Sequence, residues 1–130
     1  MTIKEITADT TRPLRHSILR PHQTLADCVY PGDDDPMSFH VGAYVEDELV
    51  CVASFFPQAT DRIESLLQYR LRGMGTLPPH QGRGIGAAVR KKGEEIAKSR
   101  GYNVLWCNAR TTAAGYYEKQ GYEAFEDEFV

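Results

Sequence analysis

The hydrophobic period of the chain changes at Ile85, and glycines mark the change. Upstream, "YRLRGMGT" (69–76) reads as a strand in which Gly73 and Gly75 indicate a bulge or an open place. Downstream, Ile85, Ala88, Val89 and Ile96 recur at helical spacing, with "KKGEE" and "KSR" partly on the wet side and Gly101 as the stop. Between them "QGRGIG" (81–86) places three alternate glycines where a helix begins, although glycine costs a helix interior about 0.5–1 kcal/mol against alanine. The next segment, "YNVLWCN", is short, apolar and unalternated, as a strand covered on both faces is.

The remaining segments fill in a mixed sheet with packed helices. "MTIKEIT" alternates as a first strand, and "DTTRPLRHSILRP" offers Asp9, Thr10 and Thr11 as caps for a short helix that stops at Pro21. A loop-rich stretch through "YPGDDDPMS" follows, then a hairpin whose strands, 39–45 and 49–56, flank the polar turn "EDE". "QATDRIESLL" is a connection without clear pattern. "TTAAGYYEKQG" reads as a second long helix and "YEAFEDEFV" as a final strand. The predicted order is strand, helix, two strands, strand, helix, strand, helix, strand.

A chain of 130 residues fits one domain, 1–130, with a proper core. A net charge of -3 gives no general attraction to nucleic acid or anionic membrane. No apolar run approaches the ~20 residues of a membrane span, and "MTIKEITADT" lacks a signal-peptide core, so a cytoplasmic location is expected. Cys28, Cys51 and Cys107 are odd in number and widely spaced, which favours reduced, packed thiols over a disulfide or metal set. The four histidines have no metal-ligand spacing either.

A helix start leaves about four N–H groups unpartnered and carries roughly half a positive charge. An incoming phosphate satisfies both if no Cβ obstructs it. Gly82, Gly84 and Gly86 remove that obstruction, and Arg83 adds a rim charge; a plain flexible turn accounts for the same glycines. The loop lacks the Lys-Ser/Thr ending of a P-loop. Gly82, Gly84 and Ala87 fit a dinucleotide fingerprint, but "LPPHQ" separates them from the strand, and the ribose-binding carboxylate is missing, since Cys107 and Asn108 stand there.

Taken together, "LRGMGTLPPHQGRGIGAAVRKKGEEIAKSRGY" and "NARTTAAGYYEKQGY" resemble the two signatures of the GNAT superfamily of acetyl-CoA-dependent N-acetyltransferases. Both lie in the last half of the chain; "GDDDP", "LRGM" and "WCNAR" are similar to a group of small bacterial members. The resemblance implies a GNAT-like α/β fold and acetyl-CoA as co-substrate. It places the amides of Gly82, Arg83, Gly84, Ile85, Gly86 and Ala87 on the pyrophosphate, with Gln81 shaping the loop. Met74, Gly75 and Thr76 would offer main-chain groups to the pantetheine arm and thioester, where the family's sheet splays. Asn108 and Arg110 would lie near the cofactor's path, and Tyr117 matches the family's helix tyrosine. Gly75 replaces a residue with a side chain, which is expected only to relax the strand. The family normally continues past the equivalent of "EDEFV" into a closing strand. Here the sheet is expected to be a strand short, to take its edge from a second copy in a homodimer, or to come from a sequence cut short.

Acetyl transfer needs a neutral amine, hence a base or water path for an amine with pKa ~10, and donors for the developing oxyanion. A leaving thiolate of pKa about 8.5 is best protonated by an acid such as tyrosine. Tyr117 is therefore the expected proton donor in a direct attack on a thioester, with no covalent role required of Cys107. His80, His40, Glu46 and Glu64 are the other candidate bases, histidines being more often surface or packed. "GDDDP" lacks the spacing of a calcium loop and reads as a solvated turn or an acidic rim, so no metal is expected. Arg70 and Arg72 share a strand face, either to attract an acidic acceptor or, by preference, to pair with acids of the neighbouring hairpin. The rival functional class is a GNAT-fold module that holds or senses acyl-CoA without turnover, and a third reading makes the loop a mere connector.

Overall fold

The structure is a computed structural model, and it describes residues 1–57, 68–102, 104–108, 124–125 and 128–129. Strand β1 (Thr2–Ile6) leads to helix α1 (Ala8–Leu14), a π-turn at Arg15–Leu19 and a 3-10 turn at Leu25–Cys28. Strands β2 (Phe39–Val45), β3 (Glu48–Pro57) and β4 (Gln68–Thr76) follow, then a 3-10 turn at Pro78–His80 and helix α2 (Ile85–Ser99). Strands β5 (Val104–Asn108), β6 (Ala124–Phe125) and β7 (Glu128–Phe129) complete the described elements. The sheet runs β1-β2-β3-β4-β5-β7-β6, antiparallel at every junction except the parallel β4–β5 pair. The expected connection 58–67 and second long helix 111–121 lie outside the described residues.

Local chemistry explains the boundaries. Thr7, not Asp9, Thr10 or Thr11, caps α1, its hydroxyl accepting from the Thr10 amide at 3.3 Å. Pro13 has no N–H for the helical ladder, and one helix reaching Pro21 gives way to α1 plus the wider π-turn. Glu46 and Asp47 adopt φ of 51° and 67°, the left-handed pair of a tight two-residue hairpin turn between β2 and β3.

The final stretch departs from expectation. It forms two short strands rather than one, and β7 turns back to lie between β6 and β5, pairing Cys107 with Phe129 and Asn108 with Glu128. The last residues thus lay a short strand against the end of β5. The acidic "EDE" run hid it, because two residues are too few for an alternation to register.

One sheet face is apolar. Phe39, Val41 and Ala43 of β2, Cys51, Ala53 and Phe55 of β3, and Tyr69 and Leu71 of β4 pack with Ile85, Val89 and Ala97 of α2. The helix buries the row Ile85, Val89, Gly93, Ala97, so Gly93 lies inside rather than on the wet side. A Cβ there would overlap the ring of Phe55, which is itself stacked on Phe39 at 4.7 Å.

The opposite face is covered by α1 and the two turns after it, and its centre is charged. Arg15 is 0% exposed and forks onto Asp33, Nη1 to Oδ2 at 2.7 Å and Nη2 to Oδ1 at 2.9 Å. It also donates to the Cys28 carbonyl at 2.9 Å and to Ser54 Oγ at 2.6 Å. With Ser54 accepting from Arg15, its own proton goes to His40 Nδ1 at 2.7 Å, which leaves Nε2–H of a neutral His40 to donate to the Asp33 carbonyl at 3.1 Å. Asp33 further accepts from the Tyr30 amide at 2.9 Å. The middle of "GDDDP" is therefore a buried anchor, while Asp34 and Asp35 are exposed. Burial raises the Asp33 carboxyl, but the hydrogen bonds from Arg15 and Tyr30 and the nearby positive charge outweigh it and hold the pKa below the ordinary 3.8. Burial also lowers His40 below its ordinary 6.5, against the pull of Asp33.

Two outcomes follow for stability. Gly93→Ala should lower the unfolding free energy, read from urea titration, by about 1–3 kcal/mol through overpacking on Phe55, although helix propensity alone favours alanine; a more stable variant would contradict the packing. His40 and Asp33 both have depressed folded pKa values, so their stabilisation is complete above the unfolded values of 6.5 and 3.8. It is lost as pH falls through the lower folded values. The urea midpoint should fall as pH drops through the unfolded chain's 6.5 towards the lower folded value of His40, and His40→Asn should flatten that fall.

Candidate active site

The site begins with a mismatch in pairing. Between Val52↔Gly75 and Ser54↔Arg72, β3 advances two residues while β4 advances three, so β4 bulges at Gly73–Met74. Gly73 has φ of 60°, and a Cβ on it would stand 2.9 Å from the Tyr30 ring and 3.3 Å from Arg15 Nε. Only glycine fits here on both counts. On its other edge β4 pairs with β5 at Gln68↔Val104, Tyr69↔Leu105 and Arg70↔Trp106. Beyond that point Cys107 and Asn108 pair with β7 instead. The sheet therefore parts between residues 71–76 of β4 and the end of β5.

The glycine loop stands at the head of β4. Gly82 and Gly84 have φ of 76° and 77°, and a Cβ at either would meet no atom within 4 Å. Turn geometry accounts for the residue type, and the result is exposed backbone facing open space. Gly84 is the N-cap of the 15-residue α2 and supplies no side-chain cap; the first bond closing the helix runs from Ala88 N to Gly84 O at 3.1 Å. Helix geometry leaves the amides of Ile85, Gly86 and Ala87 at the open end. Gln81 Nε2 donates to the Thr76 carbonyl at 3.0 Å, and the Leu77 amide donates to Val50 O at 2.8 Å. Arg83 is exposed on the rim. A diphosphate is an appropriate occupant: open amides, positive helix end, no obstructing side chain.

Met74, Gly75 and Thr76 occupy the parted stretch of β4. Met74 packs on the core, and Thr76 Oγ1 donates to Cys51 Sγ at 3.2 Å, whose thiol burial pushes up in pKa. Gly75 does more than relax the strand. A Cβ on it would come within 3.1 Å of Ile18 Cγ2, so the π-turn sits directly against bare backbone. Asn108 is placed by its backbone at the end of β5, opposite Glu128. Arg110, Tyr117 and Glu64 lie outside the described residues.

The other candidates separate cleanly. His40 and Ser54 stand at nucleophile–base distance, but Ser54 is 0% exposed and saturated by Arg15, which makes the pair structural. His80 faces Glu48 at 3.7 Å, and Glu46 is exposed at the hairpin tip. Cys28 and Cys51 are buried free thiols, and no group of three metal-capable side chains exists among the described residues. Arg70 and Arg72 do share a face. They line a cavity of about 200 Å3 with Tyr30, Leu71 and Gly73, beside the bulge and opposite α2. Tyr30 and Arg15 were not among the sequence candidates. For Arg15 a signal existed: it falls four residues after Thr11 and three before Ile18, on the buried stripe.

The acetyltransferase (GNAT) family signature matches residues 3–122. The chain is 36% identical to the uncharacterized N-acetyltransferase YitI of Bacillus subtilis (strain 168) over 129 residues, covering 99% of this chain and 87% of that one. Among solved structures, AAC(6')-Iy in complex with a CoA bisubstrate analogue superposes with a TM-score of 0.81 at 16% identity, covering 96% and 92% of the two chains. Escherichia coli ElaA gives 0.74 at 13% identity, covering 98% and 95%. These likenesses span the parted sheet and the glycine loop alike, and the chain belongs to the acetyltransferase (GNAT) family and is an N-acetyltransferase.

Proposed function

We propose that the protein transfers the acetyl group of acetyl-CoA to a primary amine by direct attack with both substrates bound. The observation that carries this reading is the uncapped, glycine-lined start of α2 beside the strand that bulges at Gly73 and parts from β5. The amides at 82–87 hold the diphosphate, Arg83 adds charge at the rim, and the main chain of Met74, Gly75 and Thr76 receives the pantetheine arm. Asn108 and Arg110 flank its path. The coenzyme supplies an activated thioester. A bulged strand leaves amides free of ladder bonds, and these are suited to donate to the thioester oxygen as negative charge grows there. The nitrogen–carbonyl bond forms as the carbon–sulfur bond breaks; the amine gives up a proton to a base or water, and Tyr117 protonates the departing thiolate. That a structural neighbour carries a CoA bisubstrate analogue supports the assignment.

Four measurements test it. Acetyl-CoA at a hundred times its dissociation constant should stabilise the protein by ~2.7 kcal/mol in a thermal melt, and an unmoved melt would remove the site. Gly84→Val forces a β-branched residue into a left-handed conformation at about 1–2 kcal/mol and puts a side chain over the amides, so that stabilisation should vanish. Tyr117→Phe should depress turnover with little loss of cofactor affinity, whereas an unaltered rate and pH profile would end the proton-donor role. Cofactor binding without thiol release across a broad amine panel would favour a module that holds acyl-CoA.

A further inference from the structure

We infer that the acceptor amine carries an anionic group, a carboxylate or a phosphate, which the cavity beside the Gly73 bulge receives. This deepens the acetyl-transfer reading and rests on it. Three guanidinium groups surround the ring of Tyr30: Arg15 at 4.0 Å from its centroid, Arg72 at 5.0 Å and Arg20 at 5.1 Å. Cations gathered about one aromatic ring repel each other unless anions answer them. One carboxylate among the described residues does so. Asp33 is forked by Arg15, accepts from the Tyr30 amide and has Arg12 at 3.6 Å. Its capacity is spent there. Arg20 donates to the Gln23 side chain, and Arg72 makes no ion pair among the described residues.

Arg72 lines the cavity with Arg70 and Tyr30, whose hydroxyl has no hydrogen-bond partner among the described residues. The buried Arg15 Nε–H, also without an acceptor, lies beside Gly73, which itself lines the cavity. Positive charge, a free phenol and a volume of about 200 Å3 meet at this point. The volume is below the ~300–1,000 Å3 of a drug-sized pocket, so it takes one small substituent and not a whole oligosaccharide. The cavity opens beside the residue where β4 leaves its ladder, on the face opposite α2. An acceptor held there by its anionic end reaches the parted strands from the side away from the helix. The same charges work against a polycationic acceptor.

The test pairs amines that differ only in the anionic group. Amino acids are set against their carboxamides, O-phosphoethanolamine against ethanolamine, with kanamycin as the polycationic arm; the readout is kcat/KM for thiol release. The acidic member of at least one pair should be preferred by about tenfold or more, the ratio expected of one charge-assisted hydrogen bond, and the carboxylate and phosphate arms tell which anion is held. Arg72→Gln should raise the acceptor KM and abolish the preference while leaving the acetyl-CoA melt shift intact, and Arg72→Lys should restore part of it. The unmodified chain's preference stands as evidence even if Arg72→Gln fails to fold. Equal rates within every pair, or preference for kanamycin, overturns the inference but leaves acetyl transfer standing. If no amine is turned over, the CoA-saturated protein is melted with each acidic amine: a further shift lost in Arg72→Gln and partly kept in Arg72→Lys upholds anion capture, and no shift overturns it.

Discussion

The missing side chain at Gly73 sets the geometry of everything around it. Its left-handed backbone lets β4 gain a residue on β3, and its bare Cα lets the Tyr30 ring and Arg15 press against the strand. The bulge, the charged layer and the cavity are thus one feature. Any Cβ there would strain the backbone and push Tyr30 away from the strand together.

The two faces of the sheet are stabilised by different physics. Between the sheet and α2 the packing is ordinary apolar burial, with Gly93 and Phe55 setting the approach distance. On the other face a fully buried arginine would be untenable alone. Its fork onto Asp33, its bonds to Ser54 and Cys28, and the neutral His40 beyond them answer most of its donors. That network ties the "GDDDP" loop, the π-turn and strands β2 and β3 into a fixed floor beneath the bulge. A rigid floor matters for a site built from main-chain amides, which must keep their directions when a ligand arrives.

Much of this was legible in the residues. Strand β2 begins and ends at the residues read from alternation, β3 differs by one at each end, and the glycines of "YRLRGMGT" marked a true bulge. The glycine loop and α2 could be read because a change of hydrophobic period is a local signal. What escaped depends on contacts distant in sequence. Asp33 looked solvated because nothing nearby reveals that Arg15, eighteen residues earlier, lies beneath it. Gly93 and Gly75 looked incidental because only Phe55 and Ile18 give their bareness meaning. Arg72 was expected to meet hairpin acids and instead faces Tyr30.

The order of the last strands has a consequence for how the chain is made. β7 follows β6 in sequence yet lies inside it, against β5. During vectorial synthesis β5 cannot acquire its neighbour until both later strands have left the ribosome. Until then its outer edge is an open template, and the nascent chain is most vulnerable to pairing with another copy just before its sheet closes.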